Sequence, residues 1–123
     1  MPSFRGEHHR EVTAAALEAL ERPGRLIVRE ADSLLREFKV ARVAADPALT
    51  AAAAQPAGWP GLVYFRLHGS PRRYYSAYSE KYLTALAENL HHLSAAATVW
   101  CIFDNTASGA ALANALELIA LGR

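Results

Sequence analysis

Cysteine is almost missing from this chain. Cys101 stands alone, which excludes an internal disulfide and a zinc site built from several thiolates, and fits a reducing compartment. An excess of either charge is missing too: thirteen Lys and Arg face twelve Asp and Glu, for a formal charge of +1. That leaves no extended cationic field to hold a nucleic-acid backbone. The longest weakly polar stretches, residues 51–54 and 95–102, fall far short of the ~20 apolar residues that span a bilayer. Residues 1–10 carry Arg5, Glu7, His8, His9 and Arg10 with no apolar core, so no secretory signal is expected and a cytoplasmic location is. There is no glycine-rich phosphate loop, no Ser-His-Asp order and no metal-ligand spacing, and no cofactor is indicated. The pairs His8-His9 and His91-His92 are sequence neighbours, and adjacent helical residues do not share a face, so neither pair is a chelating motif.

What is present is apolar. Hydrophobic residues make up 52% of the 123 positions and charged residues 20%, the balance of one globular domain. An Ala- and Leu-rich stretch over 7–20, closed by Pro23-Gly24, predicts a helix. Residues 25–29 (RLIVR) read as a short strand. Over 31–38, Ala31, Leu34, Leu35 and Phe38 recur at the spacing of one buried helical face. VARVAA at 40–45 predicts a buried strand ending at Asp46-Pro47, and 47–60, with Pro56, Gly58 and Pro60, a connection. LVYFRLH at 62–68 and TVWCIF at 98–103 are apolar strands. Residues 79–93 read as a helix with Ser79 as N-cap. A last helix over 106–121 places Leu112, Ala115, Leu116 and Ile119 on its core face, and Asp104-Asn105 before it are either its cap or site residues. Continuous apolar strands alternating with helices predict an α/β fold with a parallel sheet.

Side chains alternate along a strand, so Val40, Arg42, Ala44 and Asp46 are expected on one face, and Tyr64, Arg66 and His68 on the matching face of the next strand. An Arg in a buried strand is costly unless paired, and Arg42, Asp46 and Arg66 are expected to neutralise one another. Asp46, His68 and Asp104-Asn105 each follow the last apolar residue of a strand. In parallel α/β folds that edge gathers binding and catalytic groups. Asp and Asn are also ordinary strand terminators and caps, and His68 serves equally well as a structural histidine or as an acid, base or ligand. Arg72-Arg73 with Tyr74 and Tyr75 combine side chains that bind phosphate and stack on bases, although a solvated loop accounts for them as well. Cys101 falls in a core strand, where a thiol is inert.

An ordered set of motifs goes further. Tyr64, Arg66, His68 and Gly69; Tyr75, Tyr78 and Ser79; Phe103, Asp104 and Asn105; and Asn114-Ala115 together resemble the YecE-like family, domain of unknown function 72. VARVAADPA, with Asp46, is similar to that family's preceding strand. The resemblance runs over 31–121 and implies the C-terminal half of a TIM-type barrel, behind a divergent helical segment over 1–30. It carries no reaction with it. Upstream, the family's Glu-Pro-Arg-His-x-Ser-Trp stretch is replaced by Glu21-Arg22-Pro23-Gly24-Arg25-Leu26. A whole eight-stranded barrel needs ~250 residues, about twice this length. The expected fold is therefore a half barrel of parallel strands with covering helices.

The expected function is binding of a small anionic or phosphorylated ligand at the C-terminal strand ends by Arg42, Tyr64, Arg66, Tyr75, Tyr78 and Asn105. A hydrolase or lyase is the rival reading, with His68 as general acid or base and Asp46 or Asp104 orienting it. A third is a truncated, inactive subunit acting only by association. An open parallel sheet leaves two unpaired edges, so a homo-oligomer or a separately encoded N-terminal half-barrel is the expected partner.

Overall fold

The computed structural model describes residues 27–123; the helix expected over 7–20 lies outside them. The first element is helix α1, Ile27–Glu37. It takes in the residues of the short strand expected over 25–29 that fall within the described chain, so that expectation is corrected. Ile27, Val28 and Arg29 extend the helical pattern of 31–38, and Glu30 in the first turn suits the positive end of the helix dipole.

The strand expected over 40–45 is two pieces. β1, Ala41–Arg42, pairs antiparallel with β3, Ala57–Gly58, whereas β2, Ala44–Asp46, joins a parallel sheet. The break falls at Val43, which is exposed. Gly58 makes the small ribbon possible. Its φ is +73°, and a Cβ there would lie 2.6 Å from the Val40 carbonyl oxygen and 2.8 Å from the Arg42 nitrogen, contacts no other residue tolerates. Between β2 and β3 the chain makes only a 3-10 turn, Ala52–Ala54.

β4, Leu62–Leu67, helix α2, Glu80–Ser94, and β5, Thr98–Phe103, follow the sequence expectation closely. The Ser79 side chain accepts the Tyr82 N–H at 3.1 Å, capping α2 as expected. The parallel sheet has the order β2-β4-β5. Its register aligns Ala44 with Phe65 and Asp46 with Leu67, then Val63, Phe65 and Leu67 with Val99, Cys101 and Phe103. Aligned residues of a parallel pair point the same way. One face of the sheet thus carries Ala44, Val63, Phe65 and Leu67, which pack with Tyr78, Leu83 and Leu86 as the core. The opposite face carries Tyr64, Arg66, Trp100 and Ile102, and Trp100 is 56% exposed. The fold is α/β, an open segment of a TIM-type barrel with parallel strands and helices on the outer face.

Helix α3, Ala110–Leu121, departs from expectation twice. It begins four residues late, because Thr106–Gly109 is closed as a turn by the Gly109 N–H on the Thr106 carbonyl, and Gly109 enters the helix at φ +79°. Asp104 and Asn105 therefore do not cap its first turn, although the Asn105 carbonyl accepts the Ala111 N–H at 3.1 Å. The helix is also rotated: Leu112 is 70% exposed, Leu116 and Ile119 face outward with it, and Asn114 is buried at 2% exposure. Three hydrogen bonds to the Asn114 amide, described below, set that rotation against the leucine stripe. Among the described residues, no helix is long and apolar enough to cross a membrane.

Candidate functional site

The C-terminal ends of β4 and β5 bring Arg66, His68 and Asp104 together. Arg66 Nη2 donates to Asp104 Oδ2 at 3.1 Å, and His68 Nδ1 lies 3.0 Å from the same oxygen. The Arg66 guanidinium holds the Asp104 carboxyl below the usual carboxylate range, with His68 adding to the effect. An ionised carboxylate only accepts, so Nδ1 carries the proton and donates. That leaves His68 Nε2 as the ring atom available to a ligand. Arg66 and Asp104 are solvent-exposed in part and His68 less so. Of the residues expected at the strand ends, the structure brings Arg66 and His68 together on Asp104.

Arg42 and Asp46 stand elsewhere. Arg42 Nε donates to Asp32 Oδ1 at 2.7 Å and its Nη2 to the Ala52 carbonyl at 2.9 Å. Asp46 shares the core-facing register of Leu67 and accepts the Tyr78 hydroxyl at 2.8 Å. The mutual neutralisation expected of Arg42, Asp46 and Arg66 is thus corrected: the register of β2 on β4 puts Asp46 on the core side with Leu67, away from Arg66, and the break at Val43 separates Arg42 from β2. Asp46 borders a cavity of about 300 Å³ reached by Gln55, Tyr82, Leu86 and Asn89. This cavity lies on the helix side of the sheet and is separate from the Arg66–His68–Asp104 cluster.

Tyr78 and Asn105 are structural where the sequence suggested ligand contact. The Tyr78 hydroxyl also accepts the Gly69 N–H at 2.8 Å, so one phenol ties the end of β2 to the residue after His68. Its ring stacks on Tyr82 with centroids 4.5 Å apart. Asn114 Oδ1 accepts the Tyr78 N–H at 2.9 Å, and Asn114 Nδ2 donates to the Tyr78 carbonyl at 3.2 Å. Asn105 is fully buried; its Nδ2 donates to Asn114 Oδ1 at 2.9 Å and to the Ser76 carbonyl at 3.0 Å. Gly69 has φ +96°, and a Cβ there would sit 3.0 Å from the Ser76 carbonyl oxygen and 3.2 Å from Asn105 Cβ, so the loop after His68 closes only over glycine.

Asn114 acts here through its buried hydrogen bonds. Its signal in the sequence is a lone amide within an otherwise apolar helical run. Tyr64 lies on the open sheet face opposite Trp100, and Tyr75 on the rim loop. That loop is clamped to the β5–α3 turn by the Ala107 N–H on the Tyr74 carbonyl at 3.0 Å and the Ser108 hydroxyl on the Tyr75 carbonyl at 3.0 Å.

Burial pushes the Tyr82 phenol up to about 12 and the Cys101 thiol up to about 11. Burial, reinforced by the bond to Asp46, also drives the Tyr78 phenol above its ordinary range. In the unfolded chain these groups release their protons at lower pH than in the folded one, so stability falls as pH rises from each ordinary value towards the raised one. The fold should weaken progressively from about pH 9, where an unperturbed thiol begins to ionise. Urea midpoints between pH 8 and 11 check this, and a flat profile across that range would contradict it.

Residues 24–123 match the family described as "Protein of unknown function DUF72". The chain belongs to that family. A DUF72 family protein from Thermotoga maritima MSB8 superposes with a TM-score of 0.65 at 24% identity, covering 97% of this chain and 54% of that one. A DUF72 family protein from Enterococcus faecalis V583 gives a TM-score of 0.63 at 23% identity, covering 82% of this chain and 42% of that one. This DUF72 chain therefore spans about half the length of the solved structures it resembles. No curated protein matches it. The resemblance of its motifs to the YecE-like family is borne out, and with it the barrel-segment architecture.

Proposed function

We infer that this DUF72 chain binds a small anionic, phosphorylated ligand at the C-terminal ends of β4 and β5, with Arg66 and His68 meeting its charge. The supporting observation is the single Asp104 oxygen shared by Arg66 and His68. That carboxylate holds the imidazole with Nε2 outward and engages one Arg66 nitrogen, which leaves the other guanidinium N–H donors free for an anion.

Calorimetric titration with ribose 5-phosphate tests this reading. Arg66→Leu should weaken binding at least about tenfold, the value of losing one charge-assisted hydrogen bond. Its melting temperature should stay near that of the parent, because Arg66 is exposed and exposed ion pairs contribute little to stability. Unchanged affinity together with a lowered melting temperature would assign Arg66 to the fold instead.

The Asp104-oriented ring also favours a second reading, in which His68 Nε2 exchanges a proton with a bound phosphoester or sugar as general acid or base. Turnover of such a panel that disappears in His68→Ala supports it.

A further inference from the structure

The loop that follows His68 presents two tyrosines and two arginines that anion binding alone does not use. Tyr74 and Tyr75 are each 44% exposed. Tyr74 adopts φ +70°, a left-handed backbone that bulky residues rarely take and that concentrates at ligand-binding segments. Its N–H bonds the His68 carbonyl, and its own carbonyl is held by Ala107. This geometry turns the Tyr74 ring edge-on to His68, with centroids 5.6 Å apart at 88°. The Arg72 guanidinium lies 3.9 Å over the Tyr75 ring and that of Arg73 is 6.0 Å from the Tyr74 ring. Neither arginine has an ion-pair partner among the described residues. Flat aromatic and guanidinium surfaces beside a cationic edge are the surroundings in which nucleobases stack.

We propose that the ligand of this site is a mononucleotide, its phosphate on Arg66 and His68 and its base stacked on the Tyr74–Tyr75 loop. The proposal rests on the anion-binding reading and adds the planar half of the ligand. A sugar phosphate satisfies the arginine and the imidazole but offers no planar group to the exposed surfaces of the two rings. A long nucleic-acid strand needs a cationic track, and the chain as a whole carries a formal charge of only +1.

Calorimetric titrations of the full chain with adenosine 5′-monophosphate, ribose 5-phosphate and a ten-residue oligothymidylate decide the matter. The mononucleotide should bind about tenfold or more tightly than ribose 5-phosphate, the usual effect of one stacked base. Tyr75→Ala should remove that advantage and leave ribose 5-phosphate affinity unchanged, while Tyr75→Phe, which keeps the ring, should retain it. Equal affinities for the two phosphates in the parent protein overturn the proposal and leave anion binding intact. Binding of neither overturns both. Tighter binding of the oligothymidylate than of the mononucleotide overturns it in favour of a single strand.

Discussion

Asn114→Ala should destabilise the protein by about 3–5 kcal/mol, more than truncation of any leucine on the outer face of α3. The amide makes three hydrogen bonds, to the Tyr78 N–H, the Tyr78 carbonyl and Asn105 Nδ2, in a region shut off from water. Removing it leaves buried backbone groups without partners, each costing roughly 1–3 kcal/mol. In a chain of this size the melting temperature should fall on the order of 10–20 °C. Leu116→Gln, on the exposed stripe of the same helix, should stay within about 0.5 kcal/mol of the parent. Urea denaturation of both variants reads the contrast. If the leucine variant were the more damaged, the helix would be packed the other way round.

The second large effect is expected at Tyr78→Phe, at about 2–4 kcal/mol. The substitution keeps the ring that stacks on Tyr82 and deletes only the oxygen that donates to Asp46 and accepts from Gly69. A partly buried carboxylate and a backbone N–H then lose their shared partner. Because Asp46 and Tyr78 are in direct contact, Asp46→Ala combined with Tyr78→Phe should cost less than the sum of the two single changes, by about 1–3 kcal/mol. Strict additivity would show that the phenol and the carboxylate do not act as one unit. Tyr82→Phe offers the control, since the Tyr82 side chain stacks on Tyr78 without taking part in those bonds.

These two residues also show where the sequence is legible and where it is not. β4, α2 and β5 could be read because their patterns run uninterrupted: a continuous apolar strand, a capped helix with leucines at helical spacing, and a second apolar strand. The inference from strand parity that placed Arg66 and His68 on one face holds, since both reach Asp104. The same inference fails at Asp46, because alternation says which residues of a strand share a face but not which face of the neighbouring strand they join, and Asp46 aligns with Leu67 on the core side. Nothing in VARVAADPA fixes that register, or marks the break at Val43 that separates Arg42 from β2. The rotation of α3 is hidden for a different reason. Apolar residues lie nearly all round the helix, so the hydrophobic pattern chooses no side and a few hydrogen bonds from one asparagine decide. The left-handed backbone at Tyr74 has no signal in its residue type; it is imposed by contacts with His68 and Ala107 that lie far apart in the chain.

The placement of Trp100 gives the protein its own optical reporter. Its indole stands on the open face of the sheet, beside the strand that carries Arg66, where solvent relaxation shifts its fluorescence to long wavelength. Trp59 belongs instead to the loop after β3, where its N–H bonds the Val40 carbonyl at 2.9 Å. With only these two tryptophans in the chain, Trp59→Phe leaves a single emitter on the sheet face. Anything that covers that face, whether another polypeptide or a second copy of this one, moves the emission to shorter wavelength and shields it from a collisional quencher such as acrylamide, with no label attached.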